Sequence, residues 1–159
     1  MAASTIKKVL VRRYDRETVA GHVNPGVYLQ PEGVELVTVQ GNTMVIPYPD
    51  VKSVAFVREF DSTAPERQVF QTRPKMQGLW VSLQFRDGDR LEGIVPNNLL
   101  LLEHAGITVT PPDPFGNHQR IFVPRTSLVA VEVLGVVGSP LKKRKAKPVS
   151  KEQIGLFEE

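Results

Sequence analysis

The feature that most constrains the fold is a fifteen-residue pattern that the chain uses twice. Residues 9–23 read VLVRRYDRETVAGHV, and residues 81–95, which lie 72 positions later, read VSLQFRDGDRLEGIV. In the second copy Val81, Leu83 and Phe85 alternate with polar residues, and this period of two is typical of a strand with one buried face; the first copy matches the second without a gap. Each copy is therefore predicted to form a β-hairpin, and the whole chain is predicted to arise from an internal duplication.

The two hairpins are expected to differ at their turns. Asp87-Gly88 is typical of a tight primed turn, because glycine tolerates the positive φ that this turn requires. The first copy has Asp15-Arg16 at that point, so a different turn is expected there. Both copies carry a glycine in the second strand, Gly21 or Gly93, which indicates a sharp bend or a close backbone approach.

The order of turn and strand signals continues beyond the hairpins. Pro49 is matched by Pro124 and Val54 by Val129, so the offset grows from 72 to 75. Residues 51–60 are apolar on both strand faces, and are predicted to close a barrel or to pack between the two copies. The predicted fold class is all-β: two tandem small half-open barrels of the SH3 or Sm type, at residues 6–60 and 78–138, joined by a linker at 61–77.

The charge of the chain is unevenly distributed. Residues 1–139 contain 14 Lys and Arg and 14 Asp and Glu, whereas residues 140–159 contain six and three, which accounts for the net charge of +3. A neutral body argues against a surface that grips phosphates. The chain has no cysteine, no apolar run of membrane-spanning length and no apolar secretion signal at residues 1–10, so a cytoplasmic location is expected.

The sequence places no set of catalytic groups together. His22, His104 and His118 lie in different predicted elements, and none has a second ligand-type residue at metal-binding spacing. No nucleophile, base and orienting group are brought together by the sequence order. The chain is therefore expected not to be an enzyme, and neither a metal nor a cofactor is predicted.

One local group of polar and aromatic residues is a candidate for nucleic-acid or ligand contact. Aromatic rings beside amide and guanidinium groups hold nucleotides in many proteins. The alternative is that the phenylalanine belongs to the core and that the arginines are ordinary solvated residues. The members of this group are Asn117, Arg120, Phe122 and Arg125.

The last twenty-one residues, 139–159, differ in character from the rest. A basic run of this kind cannot bury a core, so it is predicted to be a flexible tether with weak, salt-sensitive affinity for nucleic acid. Its basic members are Lys142, Lys143, Arg144, Lys145 and Lys147.

A short apolar segment follows this tether. Gln153-Ile154-Gly155-Leu156-Phe157 resembles the peptide with which bacterial polymerases and repair proteins bind the replication sliding clamp. The resemblance implies that Gln153 occupies a polar subsite and that Ile154, Leu156 and Phe157 make the apolar contacts. As the alternative, Ser150 and Gln153 fit a capping box, so this segment is a short terminal helix that docks on the barrels.

Two further segments carry a resemblance at the level of the family. DVKSVAFVREF at residues 50–60 and PPDPFGNHQRIFVPR at residues 111–125 resemble the characteristic segments of a bacterial family of uncharacterised domains. Small β units of this kind recur in that family, sometimes beside signalling domains. The resemblance covers most of residues 6–138 and implies no known activity.

The function predicted from the sequence is that of a non-enzymatic interaction or adaptor protein, whose β scaffold presents the C-terminal peptide to a protein partner such as the sliding clamp. Two alternatives remain: an Sm-like RNA-binding module and a small-molecule sensor in signalling. No membrane contact is predicted. The edge strands of half-open barrels make a dimer plausible, but the sequence leaves the oligomeric state open.

Overall fold

Ten antiparallel strands make up most of the residues that the computed structural model describes, which are 6–15, 17–60, 68–113 and 116–138. The predicted all-β class is confirmed, and neither of the two sheets is closed. Within the described part of the chain, no helix has the length and apolar character needed to cross a membrane. In chain order the strands are β1 Lys7–Arg13, β2 Val19–Val23, β3 Gly33–Thr38, β4 Thr43–Pro47, β5 Val51–Val57, β6 Gly78–Phe85, β7 Arg90–Val95, β8 Gly106–Val109, β9 His118–Pro124 and β10 Leu128–Val137.

The strands form one large and one small sheet. The seven-stranded sheet has the order β4-β3-β2-β1-β5-β9-β8, and the three-stranded sheet has the order β10-β6-β7. A single bridge between Ile94 and Thr110 links β7 to β8. Because β5 pairs with β9, the large sheet contains strands from both predicted barrels, 6–60 and 78–138. The division into two barrels stays a prediction.

The central strands of the two halves pair in matching registers. Val9 on β1 lies opposite Phe56 on β5, and Val81 on β6 lies opposite Val133 on β10. One register shift lies at the same place in both pairs, near the start of β5 and the start of β10, and β10 has a second shift between Val133 and Gly135. Residues of β1 and β6 are thus related by 72 positions, and residues of β5 and β10 by 77.

The third and fourth strands of each half match in the same way. Gly33 lies opposite Pro47 in the β3–β4 pair, and Gly106 lies opposite Pro124 in the β8–β9 pair. Both glycines are needed because a Cβ atom on either would lie 2.1 Å from a backbone oxygen of the neighbouring strand. Below, the counterpart of a residue is the residue at the same register position in the other half.

The predicted matches of Pro49 with Pro124 and of Val54 with Val129 are wrong by two residues. The strand pairing makes Pro47 the counterpart of Pro124 and separates β5 from β10 by 77 positions rather than 75. A shift of two residues leaves every side chain on the same face of its strand, so the apolar pattern alone does not reveal the error.

The hairpin of residues 81–95 forms as predicted, but its turn is longer than the tight primed turn expected. The carbonyl of Phe85 accepts a hydrogen bond from the Gly88 N–H at 3.0 Å, and the Phe85 N–H donates to the carbonyl of Asp89 at 2.8 Å. Gly88 has φ +95°, so its positive φ is confirmed. The close approach predicted at the mid-strand glycines is also found, since a Cβ on Gly21 would lie 2.5 Å from the oxygen of Val37.

Strands β1 and β5 lie between two hydrophobic cores. Val54 and Phe56 on β5 face the first core, whereas Ala55 and Val57 face the second, and β1 divides its side chains in the same way. The segment predicted to be apolar on both faces is therefore a strand with two buried faces. Phe122 from β9 completes the first core and is fully buried.

The two halves also meet at their matching 3-10 turns, Tyr48–Asp50 and Arg125–Ser127. The hydroxyl of Tyr14 donates to the carbonyl of Ser127 at 3.3 Å. The guanidinium of Arg86, which is the counterpart of Tyr14, lies 4.0 Å from the centre of the Tyr14 ring. These contacts join the two halves directly before the start of β10.

Candidate functional site

The most unusual surface of the molecule is strand β10, which lies at the edge of the small sheet. It pairs with β6 on one side, and no strand within the described residues pairs with its other side. Edge strands normally carry charges or prolines that discourage pairing with other chains, but the only charged residue of β10 is Glu132. Its exposed apolar side chains are Val129, Val131, Val133, Leu134 and Val136.

An apolar groove of about 430 Å³ lies between this strand and β8. Ile107 of β8 and the exposed Leu102 form one wall, and Leu128 to Val131 of β10 form the other. The Arg125 and Glu103 side chains stand at its rim as the charged lining residues. A groove with apolar walls beside an unpaired strand edge has the character of a protein docking surface.

The end of β10 is held by the segment before β6. The Arg73 guanidinium donates to the carbonyl of Val136 at 2.8 Å, and it lies over Gly135 next to the Trp80 ring. Trp80 in turn donates its Nε1–H to the Glu92 carboxylate at 3.1 Å. The hydrogen bond from Arg73 occupies the Val136 carbonyl, although the Val136 side chain stays exposed, so the unpaired backbone edge within the described residues lies mainly in residues 129–134.

A second cavity, of about 300 Å³, is lined by residues of both β8 and β9. Tyr28, Phe56 and Arg120 line it, and the Arg120 guanidinium lies 5.5 Å from the centre of the Phe56 ring. Burial, and then the nearby Glu103 carboxylate, raise the pKa of the Tyr28 hydroxyl above its usual value. The phenol is therefore neutral at physiological pH and offers this cavity a hydrogen-bonding group rather than a charge.

The turn between β6 and β7 is bound to the first half by an ion-pair cluster. Lys52 on β5 reaches Asp87 with an Nζ to Oδ2 distance of 2.7 Å, and it also contacts the carboxylate of Asp89. Partial desolvation raises the pKa of Asp87, but hydrogen bonds from Lys52 and from the Asp89 N–H outweigh it, so the pKa is lower than usual. The arrangement positions a turn, and among the residues that the structure describes no third ligand-type side chain joins it.

The structure does not gather the predicted nucleic-acid or ligand group into one site. Asn117 and Arg125 stand at opposite ends of β9, roughly 25 Å apart at about 3.3 Å per residue. Asn117 accepts hydrogen bonds from the N–H groups of Arg58 and Glu59 and so fixes a loop. Phe122 is fully buried and has no free ring face, which matches the alternative reading of that residue as core.

The predicted docking peptide lies outside the described residues. This applies to its partner-binding residues Gln153, Ile154, Leu156 and Phe157, and to the basic tether at 142–147. Their roles stay predictions. The exposed edge of β10 was not predicted, because the valines of residues 128–137 resemble those of a buried strand and give no signal for an edge.

The histidines are dispersed in the structure, as predicted. His22 packs edge-on against Phe60 at 5.4 Å between ring centres, whereas His118 is buried on β9 and His104 is exposed. Over residues 6–15, 17–60, 68–113 and 116–138, no three His, Asp or Glu residues are grouped so that they could hold a metal ion.

Comparisons with known proteins give one match. A model described as a family of unknown function (DUF6982) matches residues 5–135, and this confirms the expected relation to an uncharacterised family. No curated protein and no solved structure matches the chain.

Proposed function

We propose that this chain, which belongs to the family of unknown function DUF6982, is a non-enzymatic interaction protein that binds other proteins through strand β10 and through its C-terminal peptide. Its β body acts as the scaffold, and its basic tether keeps the peptide within reach of the body. The proposal requires a cytoplasmic chain, in agreement with the location expected from the sequence.

The observation that carries this proposal is the exposed edge of β10. Five apolar side chains of one edge strand are exposed, next to a groove with apolar walls. Soluble proteins rarely leave a long apolar edge uncovered, because its unpaired N–H and C=O groups are a template for another strand. Such an edge therefore favours the view that another protein covers β10 over the view that β10 stays in contact with water.

The proposed scaffold is a pair of SH3-like or Sm-like half-open barrels that arose by duplication. Its support is the matching of strand registers between the halves, which includes the register shift at the start of β5 and of β10. A scaffold of this kind joins two similar units while leaving their loops and outer edges available to partners.

The proposed partner of the C-terminal peptide is the bacterial sliding clamp. The support is the match of Gln153, Ile154, Leu156 and Phe157 to the clamp-binding pattern. Burial of Leu156 and Phe157 would contribute on the order of 3 to 5 kcal/mol before the cost of ordering the peptide. Micromolar binding requires about 8 kcal/mol, so Gln153, Ile154 and the peptide backbone must supply the rest.

A fluorescence-anisotropy titration tests the peptide. A labelled peptide of residues 147–159 is titrated with purified sliding clamp, beside a Leu156→Ala, Phe157→Ala double variant. Micromolar binding that the double variant loses would support the proposal. Equal binding by both peptides, or no binding by either, would remove the clamp from it.

A matched full-length experiment separates the tail from the body. The full chain and a chain that ends at Ser139 are compared for clamp binding in the same titration. Clamp binding that survives the truncation would contradict the role given to the peptide, because the body would then be the binding element. The peptide titration has a control of its own. A peptide of residues 147–159 with Lys151→Ala keeps all four matching residues but loses one positive charge, so it tests whether charge contributes to clamp binding.

The RNA-binding alternative has less support than the interaction function. Its one aromatic residue, Phe122, is fully buried, and Asn117 is engaged in fixing a loop. The small-molecule alternative is supported by the cavity beside Tyr28 and Arg120. The volume of this cavity, about 300 Å³, lies at the lower end of the range for ligand sites.

A further inference from the structure

Strands β5 and β10 occupy the same register position in the two halves, but they have different numbers of neighbours. β5 lies between β1 and β9, so both of its edges are paired. β10 pairs with β6, the counterpart of β1, and within the described residues its other edge has no strand. The small sheet thus lacks the strand that corresponds to β9.

The missing strand has a counterpart in the chain itself. The registers of the β3–β4 and β8–β9 pairs make β4 the counterpart of β9. β4 is also the outer strand of the large sheet, and its free edge is not paired in the described part of the chain. The pairing of β5 with β9 therefore has an analogue, β10 with β4, which does not occur among the described residues of the chain.

The side chains on the two free edges fit this analogue. In the pair that is made, Val54 on β5 lies opposite Phe122 on β9, and both are 0% exposed in the first core. The counterparts of these two residues are Val131 on β10, which is 46% exposed, and Val45 on β4, which is 42% exposed. Val131 lines the apolar groove, so the groove marks the place where a counterpart of Phe122 is absent.

The charges of the two strands permit the contact. β4 has the sequence TMVIP and carries no charged residue, and Glu132 is the only charge on β10. Pro47 has no N–H to donate. Its counterpart Pro124 lies beyond the residues of β9 that pair with β5, so Pro47 would lie beyond the residues of β4 that pair with β10. Neither edge therefore carries a feature that would prevent a short antiparallel pairing.

We propose that strand β10 pairs with strand β4 of a second copy of this chain. The register follows from the β5–β9 pair: Val131 lies opposite Val45, Glu132 opposite Met44, and Val133 opposite Thr43. The inference rests on the proposed function, because it names the partner of the β10 edge. It does not involve the C-terminal peptide, so clamp binding and self-association fail or succeed independently.

This contact joins two different surfaces of the chain, so it produces either a closed dimer or a chain of copies. Each copy has one β10 edge and one β4 edge, and two copies satisfy all four edges if both junctions form in one closed dimer. If the rotation between copies does not close, the same contact extends into a chain of copies. In both assemblies the interface residues are the same.

Cysteine cross-linking on the full chain tests the register, because the protein has no cysteine of its own. Val45→Cys and Val131→Cys are made as separate variants and mixed under mild oxidation. Residues directly opposite in an antiparallel pair have Cα atoms about 4.5–5.5 Å apart, which a disulfide spans. The expected product is a disulfide-linked pair that contains one copy of each variant.

A matched control uses a pair that the register keeps apart. Thr43→Cys and Val129→Cys lie on the same two strands, but Val129 is four residues from the partner of Thr43, or about 13 Å. This mixture is expected to give little cross-linked product. Equal yields from the two mixtures would show random collision and would overturn the proposed register.

Other products would identify a different occupant of the edge. Dominant linkage between two Val131→Cys copies would replace the proposal with a β10–β10 contact. If one chain carries both Val45→Cys and Val131→Cys, a disulfide within that chain would show that β4 of the same chain pairs with β10. Either result overturns the pairing of β10 with β4 of a second copy.

The oligomeric state of the cysteine-free full chain supplies the second measurement. Sedimentation velocity is expected to show association that Val131→Glu weakens by about tenfold or more in Kd, which is about 1.4 kcal/mol. Val54 is not altered, so the monomer keeps its core. A wild-type chain that stays monomeric at the highest concentration measured would overturn the proposal, even if the peptide binds the clamp.

Discussion

Strands β5 and β10 are built alike and end in opposite environments. Each follows a 3-10 turn, each pairs with the first strand of its half in the same register, and each is rich in valine. β5 is buried on both faces, whereas most of β10 is exposed on both faces. The difference is due to β9, which covers β5 and has no equivalent beside β10 in the described part of the chain. Burial here therefore depends on a neighbouring strand and not on the strand's own composition.

The same contrast holds for the two cores. The first core receives Phe122 from the second half, and the Phe122 ring packs edge-on against Tyr28 at 6.0 Å. The second core receives Ala55 and Val57 from β5 but nothing from β4. One half is thus completed by the other, and the second half keeps an open side.

Removal of Phe122 is expected to have the largest effect on stability. Phe122→Ala should lower the free energy of unfolding by about 3–5 kcal/mol, since it deletes a fully buried ring from the first core. Its counterpart variant, Val45→Ala, should change the stability of the monomer by less than about 0.5 kcal/mol. Urea denaturation at low protein concentration measures both. A similar loss in the two variants would contradict the contrast between the halves.

The mid-strand glycines should give the next largest effect. A Cβ on Gly21 would lie 2.5 Å from the oxygen of Val37, whereas the nearest atom to a Cβ on Gly93 is the Val109 side chain at 2.7 Å. Gly21→Ala is expected to cost about 3 kcal/mol and Gly93→Ala about 1–2 kcal/mol. The reason is that β3 is paired on both sides, while one bridge holds β8 to β7. Thermal unfolding of both variants checks this order.

The counterpart valines of β5 and β10 give the most direct comparison. Val54→Ala should lower stability by about 2 kcal/mol, because two buried methyl groups are lost and a cavity is left. Val131→Ala should lower the stability of the monomer by less than about 0.5 kcal/mol. Dilution separates this effect from association: if Val131→Ala becomes costly only at high protein concentration, β10 is covered by another copy.

The ion-pair cluster should give the smallest effect, and it depends on pH. The pKa of Asp87 is lower in the folded chain, so its contribution is present above the unfolded value and is lost as pH falls through the folded value, below about pH 4. Asp87→Asn should therefore cost less than about 1 kcal/mol at pH 7, because the carboxylate is exposed, and almost nothing at pH 2.

The matched control for this prediction is Asp15→Asn. Asp15 is the counterpart of Asp87, but the counterpart of Lys52 is Val129, which has no charge to offer. A chemical denaturation series from pH 2 to pH 7 should show a pH-dependent loss for Asp87→Asn alone. The same loss in both variants would mean that turn formation, and not the ion pair, is responsible.

The strands and their faces were largely predictable from the chain. Alternation in residues 81–95, and the match of residues 9–23 to them, predicted both hairpins. The apolar residues on both faces of 51–60 predicted a segment that closes a barrel or packs between the two copies. These features are local, since a period of two follows directly from strand geometry. The residue-by-residue match between the two halves was harder to predict, because a shift of two residues leaves the alternation of apolar and polar residues unchanged.

The candidate site was predictable only in part. The group around Phe122 was chosen for its residue types, but β9 runs between the two halves, and its register sends this ring into the first core. The exposed edge of β10 was not predicted, since its valines form an apolar pattern similar to that of β5, which is buried. Sequence patterns do not report which strand lies beside an edge.

The sequence by itself determined the all-β class, the hairpins, the glycines at close approaches and the separation of a neutral body from a basic tail. These follow from interactions between residues that are near in sequence or from composition alone. Only the tertiary structure decided that β5 pairs with β9 and that β10 is left exposed. The physical reason is that each strand edge offers the same backbone hydrogen-bonding groups to any strand, so the choice of neighbour depends on how the whole chain packs.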